Sequence, residues 1–437
     1  MNICFVGTGY VGLVSGVLFS DFGNTVYCVD NDKKKISNLE KGIIPIYEPG
    51  LEELVIRNFN SKRLIFTTDI NEAIKKSDII FIAVGTPPPS KDGNSADLSS
   101  VFSVAKTISN NLNKHKIIIT KSTVPLGTGD EIEKILSKKN KKNLFDVVSN
   151  PEFLREGEAI RDFKYPDRVV IGTNNANKVT PIMTKLYEPI IKKGGKFIVV
   201  KRRAAELIKY AANAFLATKI TFINEIANLC EKSDINVEDV AIGIGTDARI
   251  GSRFLRAGPA YGGSCFPKDT KALVKTAEKY NVNLNVVKSV IHSNDARSNL
   301  IANKILKIIK KPKGKKIGFL GVTFKANTDD MRDSSCLSII PKLINKKCKI
   351  NYYDPTGRKD IFEKNKSILF YNNIDSVIKN SDLVVIHTEW DEFKSLQFDK
   401  FRKKEEIIIF DLRNLYHPDD FLNKKIKYFS IGRPENV

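Results

Sequence analysis

The chain has 437 residues, 42% of them hydrophobic and 28% charged, which is enough for two or three domains with their own cores rather than one. The formal net charge is +21, yet the lysines fall in scattered runs such as Lys33-Lys34-Lys35 and Lys141-Lys142 without interleaved aromatics, so we expect a solvated basic surface suited to anionic substrates and no nucleic-acid partner. No apolar run is long enough to cross a bilayer, the N-terminus lacks the basic region and cleavage site of a signal peptide, and six cysteines without C-x-x-C spacing suit a reducing cytoplasm, so no membrane partner is expected either.

Residues 2–6 read as a strand running into a glycine turn and a helix, and residues 25–29 as a second strand ending in Asp30. In that βαβ context Gly7-Thr8-Gly9-Tyr10-Val11-Gly12 is a G-x-G-x-x-G dinucleotide fingerprint. Gly7 permits the tight turn, Gly9 lets backbone amides approach a pyrophosphate, and Gly12 allows close helix–strand packing. The helix N-terminus at Tyr10 and Val11 adds partial positive charge. The Asp30 carboxylate would accept bonds from ribose hydroxyls and repel a 2′-phosphate, which favours NAD over NADP. Lys35 either reaches the same ribose or a phosphate, or is a solvated surface lysine.

Farther on, INEAIKKSDIIFIAVGTPPP predicts a helix, a buried strand and a loop at the strand's carboxyl end. KIIITKSTVP and FDVVSNPEF are two more such transitions. Thr86 and Thr123 stand at these carboxyl ends, where ligands bind in open sheets, although either is equally a turn former. Glu152 and Glu156, in NPEFLRE, could serve as base or organise water, or be simply solvated. Residues 204–232 have helical periodicity and are apolar on more than one face, which predicts burial between layers or between the subunits of a homodimer. On that helix Lys209 and Asn213 share a face; two donors there suit an oxyanion, while a snorkelling lysine and a core amide would satisfy the same pattern. Cys265, in YGGSCFPKDTKALVKTA, falls at the start of a predicted helix, where the dipole and Lys268 would lower a thiol pKa, and Asp269 follows one turn later; a buried inert thiol would satisfy the same pattern.

The C-terminal third repeats the opening plan. KKIGFLGVTFK matches NICFVGTGYVG, CKINYYDPT matches NTVYCVDND, and IDSVIKNSDLVVIHTEW matches INEAIKKSDIIFIAVGT in the same order. The expected fold is therefore α/β, with two Rossmann-like, doubly wound parallel-sheet domains joined by a long central helix. The expected division is an NAD-binding domain over 1–200, a central helical domain over 201–300 with Cys265 and the dimer interface, and a second Rossmann-like domain over 301–437.

GTGYVGL with VDND, YEPGLEEL, VGTPPP, KSTVPLGT, NPEFLREG, NAFLATKITFINEIA, GPAYGGSCFPKD and GVTFKANTDDMRDS together resemble the UDP-glucose 6-dehydrogenase family, from the first strand almost to the last residues. The resemblance implies an NAD-dependent four-electron oxidation of UDP-glucose to UDP-glucuronate. Two NAD⁺ would be consumed, with a thiohemiacetal and then a thioester on Cys265, and no metal. The alternative within the wider family is a UDP-N-acetylhexosamine or GDP-mannose substrate. By resemblance, Lys209 and Asn213 would bind substrate and stabilise oxyanions, Glu152 and Asp269 would handle protons and water, and Thr123 would position water. Thr86, Thr123, Glu152, Lys268 and Arg332 would border NAD. The loop of Glu152, Phe153, Leu154, Arg155 and Glu156 would hold the nucleotide sugar, together with Phe254, Leu255, Arg256, Ala257 and Gly258. Gly262 would bring backbone close to it, and the C-terminal domain would bind it through Lys325. Arg249 would reach it from the neighbouring subunit. The sequence departs from the family's usual pattern at His387 and at Leu412 in DLRN, both expected to lie outside the chemistry.

Overall fold

The computed structural model describes residues 1–87, 96–357, 360–401, 406–422 and 424–434; Pro88 and Pro89 of the GTPPP motif lie outside the described residues. The chain divides into two compact units, Met1–Ala212 with Lys275–Asn281, and Asn213–Val274 with Val282–Val437.

The first unit is built on eight short strands: β1 (Asn2–Val6), β2 (Thr25–Val29), β3 (Leu64–Thr67), β4 (Ile79–Ile82), β5 (Lys116–Thr120), β6 (Phe145–Ser149), β7 (Arg168–Thr173) and β8 (Lys196–Val200). Their order is β3-β2-β1-β4-β5-β6-β7-β8, so the winding reverses between β1 and β4. That reversal opens a crevice at the carboxyl ends of the central strands, where such folds take ligands. The central strands are apolar at successive positions because both faces are covered. Ile3 and Phe5 enter one core cluster, and Cys4 and Val6 enter the other. One departure from the expected parallel sheet is the β6–β7 pair, which is antiparallel. Among the helices that follow strand ends are α1 (Tyr10–Asp21), after β1, and α2 (Thr128–Ser137), after β5.

The long helix α3 (Arg202–Ser233) begins two residues earlier and ends one later than periodicity predicts, and the division between the units falls inside it. Its first turns are tied to α2. The buried Arg202 pairs with Asp130 and with Glu133, the latter at 2.5 Å. The Glu206 carboxylate accepts the backbone N–H groups of Gly127 (2.6 Å) and Gly129 (2.8 Å). A side chain from a distant helix thus satisfies donors that the N-terminus of α2 leaves without intrahelical partners.

The second unit carries β9 (Lys316–Leu320), β10 (Lys349–Tyr353), β11 (Ile368–Phe370), β12 (Leu383–Ile386), β13 (Ile407–Asp411) and β14 (Ile426–Ser430) in the order β11-β10-β9-β12-β13-β14. All five pairings are parallel. The repeated motifs fill equivalent places, β9 as β1, β10 as β2 and β12 as β4. Helices α4 (Phe266–Lys279) and α5 (Asn285–Ile309) precede this sheet in the chain. Ile223 and Ala227 of α3 share a core cluster with Ile301 and Ile305 of α5 and with Ile317 and Phe319 of β9. Another side of α3 is apolar yet open, with Phe215, Phe222 and Leu229 exposed by 67%, 50% and 62%.

Candidate active site

In the first unit, the three fingerprint glycines do different work. Gly7 has φ +104°, and a Cβ there would lie 2.6 Å from the Ala83 carbonyl oxygen. A Cβ on Gly12 would lie 2.0 Å from the Gly7 carbonyl oxygen, so both positions are dictated by packing. A Cβ on Gly9 would meet nothing within 4 Å. Gly9 therefore faces open space at the N-terminus of α1, where no side chain caps the helix. Unclaimed backbone N–H groups beside open space are what a pyrophosphate requires.

Asp30 stands at the end of β2. Its Oδ2 accepts the Thr8 backbone N–H (3.1 Å), the Thr8 hydroxyl (2.7 Å) and the Lys35 ammonium (2.9 Å). Burial alone would push this carboxyl up, but the Thr8 hydroxyl, Lys35 and the N–H groups of Asp32 and Thr8 outweigh it and hold the pKa at about 2. Lys35, whose role the sequence leaves open, thus fixes the charge of Asp30. Tyr10 donates to the Tyr47 carbonyl (2.6 Å) and to Glu48 (2.8 Å), and the Gly157 N–H donates to both Tyr10 Oη and Glu48. These bonds moor the loop after Glu156 to the first turn of α1.

Thr86 and Thr123 are brought together at the ends of β4 and β5, the Thr86 hydroxyl donating to the Thr123 carbonyl at 2.9 Å. Lys209 and Glu152 form a buried ion pair at 3.0 Å. Glu152 also accepts the Leu154 N–H at 2.5 Å, which curls the NPEF loop around its own carboxylate. The Phe153 ring lies under the Arg168 guanidinium (3.8 Å to the centroid) and within 5.3 Å of Lys209 Nζ. Arg155 turns to Asp162, in a forked pair at 2.9 and 2.7 Å, and to Glu158 at 2.6 Å; Glu156 is half-buried beside it.

The sequence reading overlooked Lys121. This residue is buried, donates to Asn150 Oδ1 (3.0 Å) and Tyr187 Oη (3.4 Å), and is pushed by burial down to about 8, with Glu152 opposing and Lys209 assisting. Its signal was a lysine directly after the wholly buried run KIIIT.

In the second unit, Cys265 caps α4, its carbonyl accepting the Asp269 N–H at 2.8 Å. Its half-buried sulfur lies 3.5 Å from the Ser264 hydroxyl. Asp269 is fully buried; its two oxygens accept Asn213 Nδ2 and Lys268 Nζ, each at 2.6 Å. The glycines before the thiol are needed for a close approach. A Cβ on Gly262 would lie 2.2 Å from the Asp333 carbonyl oxygen, and the Gly263 N–H donates to the Arg332 carbonyl at 2.9 Å. The Arg332 side chain forks onto Asp330, both bonds 2.8 Å.

Among residues 254–258, Phe254 holds a positive φ of 65° with its ring 6.1 Å from that of Phe266. Leu255, Ala257 and Gly258 are buried while Arg256 is exposed. Lys325 lies with its Nζ 5.9 Å from the Phe324 ring. Arg413, of the DLRN segment, donates to the carbonyls of His387 and Phe324 (both 2.8 Å), and its Nη1 lies 3.3 Å from where a Gly258 Cβ would be. The DLRN segment thus lies beside Gly258, one of the residues expected to hold the substrate. Arg249 pairs with Asp247 and its side chain is 89% exposed. None of the six cysteines is in a disulfide, and no metal-holding group of His, Cys, Asp or Glu occurs among the described residues.

A doubly wound sheet with open, uncapped N–H groups at the fingerprint and an ionised Asp30 defines an NAD-binding dehydrogenase domain. Three descriptions of one family match the chain in succession: its NAD binding domain over residues 1–191, its central domain over 203–296 and its UDP binding domain over 318–418. The chain belongs to the UDP-glucose/GDP-mannose dehydrogenase family. It is 49% identical to a UDP-glucose 6-dehydrogenase of Rhizobium meliloti, with 100% of both chains covered. Among solved structures it resembles a UDP-glucose dehydrogenase from Pyrobaculum islandicum (TM-score 0.90, 31% identity, 99% and 97% of the two chains covered). It also resembles a UDP-D-ManNAc dehydrogenase from Pyrococcus horikoshii (TM-score 0.86, 26% identity, 100% of both covered).

Proposed function

We propose that the chain oxidises UDP-glucose to UDP-glucuronate through a covalent adduct on Cys265. The observation that carries this reading is a thiol at the N-terminus of α4, one turn from a buried Asp269 that is already hydrogen-bonded by Asn213 and Lys268. A simple alcohol dehydrogenation would need no such sulfur. The glycine turn and Asp30 would hold NAD⁺, which supplies the hydride acceptor for both oxidations.

After the first oxidation, the Cys265 thiolate adds to the aldehyde carbon, a C–S bond forms and the oxygen takes a proton. Loss of the second hydride and of that proton turns this thiohemiacetal into a thioester. Water then attacks the carbonyl, the C–S bond breaks, and the carboxylate and the thiolate are released. Lys209 and Asn213 donate to the negative oxygen of the tetrahedral species, and Glu152 and Asp269 accept the protons that the attacking water gives up. Thr123 positions that water. The NPEFLRE loop, residues 254–258, Gly262 and Lys325 hold the nucleotide sugar, with Arg249 supplied by a second subunit. Lys268, Arg332 and Thr86 border the cofactor.

The division into an NAD-binding domain over 1–200, a helical domain over 201–300 and a UDP-sugar domain over 301–437 belongs to this reading. So does a homodimer built on α3, where Phe215, Phe222 and Leu229 recur every seventh residue and stay exposed. Among the described residues no helix is long and apolar enough to cross a membrane. A cytoplasmic enzyme that makes a uronic-acid donor for polysaccharide synthesis also belongs to this reading.

The experiment is an NADH assay with a panel of sugar nucleotides. A pocket built to bond the 2-hydroxyl rejects analogues lacking it by roughly 10⁴-fold. UDP-glucose should show the highest kcat/KM, above UDP-N-acetylglucosamine, UDP-N-acetylmannosamine and GDP-mannose. A preference for any acetamido sugar would overturn the substrate.

A further inference from the structure

Lys121 is a buried, titratable side chain to which the proposed chemistry gives no part. It stands at the carboxyl end of β5, two residues before Thr123. On the neighbouring strand β6, Asn150 stands two residues before Glu152. The β5–β6 ladder ends here, with the Asn150 N–H donating to the Thr120 carbonyl at 2.9 Å. Beyond that bond the two chains part. Lys121 and Ser122 lean to β4, both N–H groups donating to the Ile82 carbonyl (2.9 and 3.1 Å), while the Ser122 hydroxyl donates to the Val84 carbonyl (2.6 Å). Asn150 leans the other way, its Nδ2 donating to the Val170 carbonyl of β7 at 2.9 Å.

The Lys121 ammonium spans this fork. It donates to Asn150 Oδ1 (3.0 Å) and to Tyr187 Oη (3.4 Å), and the Tyr187 hydroxyl donates to the same Asn150 oxygen. The N–H, Oδ1 and Nδ2 of Asn150 are thus all engaged. Pro151 follows. A proline fixes its own φ and confines the residue before it to extended backbone, so the orientation of Asn150 passes to Glu152 with little slack. Glu152 is then held at its other end by Lys209 (3.0 Å) and the Leu154 N–H (2.5 Å). A hydrogen bond to an amide oxygen needs no charge, and a buried cation is costly to keep. Burial pushes Lys121 down to about 8, and the charges that act on it are Glu152, opposing, and Lys209, assisting. The cation is kept where it feels the Glu152–Lys209 pair, a setting found at reaction sites.

We infer that Lys121 is a positioning residue for the hydrolytic step: by bridging to Asn150 it fixes the spacing between Thr123 and Glu152, so that the water placed by one meets the carboxylate of the other. The inference rests on the proposed reading of Thr123 and Glu152 as the groups that handle the attacking water. The hydride transfers need no water, so loosening this bridge slows hydrolysis and leaves them as they were.

The test is rapid mixing of the full chain with UDP-glucose and excess NAD⁺, with acid-quenched protein taken for mass spectrometry. It compares the unaltered chain with Lys121→Met, which keeps the length of the side chain and removes its donors. In the variant, two NADH per chain should form in a burst at the unaltered rate. Steady turnover should then be slower by roughly tenfold to a hundredfold, the loss expected when a reacting group is misplaced by an ångström or less. The thioester should accumulate on Cys265. Unchanged turnover would overturn the inference. So would a slowing shared equally by the hydride transfers and hydrolysis, which would make Lys121 a part of the scaffold only. If Lys121→Met does not fold, Tyr187→Phe decides, because it keeps the ring and withdraws the other donor from the same Asn150 oxygen. A several-fold loss confined to hydrolysis supports the inference there, and turnover at the unaltered rate overturns it. Cys265→Ser separates the two levels. If it is blocked at the second oxidation, the covalent reading stands whatever Lys121→Met shows; a normal yield of uronic acid from it would overturn that reading and this inference with it.

Discussion

Cys265 closes the first hydrogen bond of α4 with its carbonyl, so its sulfur is set at the positive end of a helix dipole, and Asp269 is anchored one turn beyond. A serine there retains the backbone geometry but is a far weaker nucleophile without an adjacent base. Cys265→Ser should therefore allow the first oxidation and block the second. Mass spectrometry and product analysis should show aldehyde or a stalled adduct, and normal uronic-acid yield would contradict the covalent route. Asp30 makes a second residue-scale case. Its carboxylate is held ionised by Thr8 and Lys35, and on the proposed reading it would repel a 2′-phosphate. Replacing it with serine should lower the NAD-over-NADP ratio of kcat/KM by about tenfold or more, the worth of one charge-assisted hydrogen bond. Equal use of both cofactors by the unaltered chain would show that Asp30 does not read the ribose.

At the scale of elements, α3 buries one side in the core shared with α5 and leaves Phe215, Phe222 and Leu229 open on another. Three large side chains at a seven-residue spacing form a seam that a second copy can cover. Phe222→Glu with Leu229→Glu should give a monomer by light scattering at micromolar concentration where the unaltered chain is a dimer; a monomeric unaltered chain would contradict the interface.

The end of β12 carries a pH prediction. His387 is fully buried, hydrogen-bonded to Ser335 (2.8 Å) and Thr388 (3.1 Å), and burial, with Arg413 adding, pushes its pKa down to about 3. An unfolded histidine takes its proton near 6.5. Between those values the unfolded chain holds one proton more, so this group's contribution is complete above pH 6.5 and is lost as pH falls toward 3. His387→Gln should flatten that acid limb by up to ~1.4 kcal/mol per pH unit in denaturant titrations. An unchanged slope would show that His387 is not the group responsible.

These elements differ in how visible they were beforehand. Strands β1, β2, β4, β5 and β6, the glycine turn and the repeated β9–β10–β12 motifs were legible because each is local, set by period, by a tight turn or by an acid at a strand end. Glu206 capping α2 and Glu48 joining Tyr10 to Gly157 were not, since Glu206 lies 79 and 77 residues from Gly127 and Gly129, and Glu48 lies 38 residues from Tyr10 and 109 from Gly157. The antiparallel β6–β7 pair escaped for a related reason: strand direction is settled by the length and path of the connection and leaves no trace in composition.

At the scale of the whole molecule, the same strand order is built twice and used differently. In the first unit Asp30 bonds the fingerprint turn through Thr8 and keeps its place beside the open N-terminus of α1. In the second, the equivalent Asp354 is almost wholly buried and saturated by the Val322, Thr323 and Gly357 N–H groups (2.6, 3.1 and 2.7 Å), so that turn is closed on itself. One half is thus suited to a dinucleotide, and the duplicated half is free to serve the substrate.

A four-electron oxidation and a single alcohol dehydrogenation on this scaffold differ in one countable quantity, the NADH formed per sugar. With limiting UDP-glucose, excess NAD⁺ and the reaction run to completion, absorbance at the NADH band should report two NADH for each UDP-glucose consumed, with UDP-glucuronate as the product. One NADH per sugar, with the aldehyde accumulating, would contradict the account.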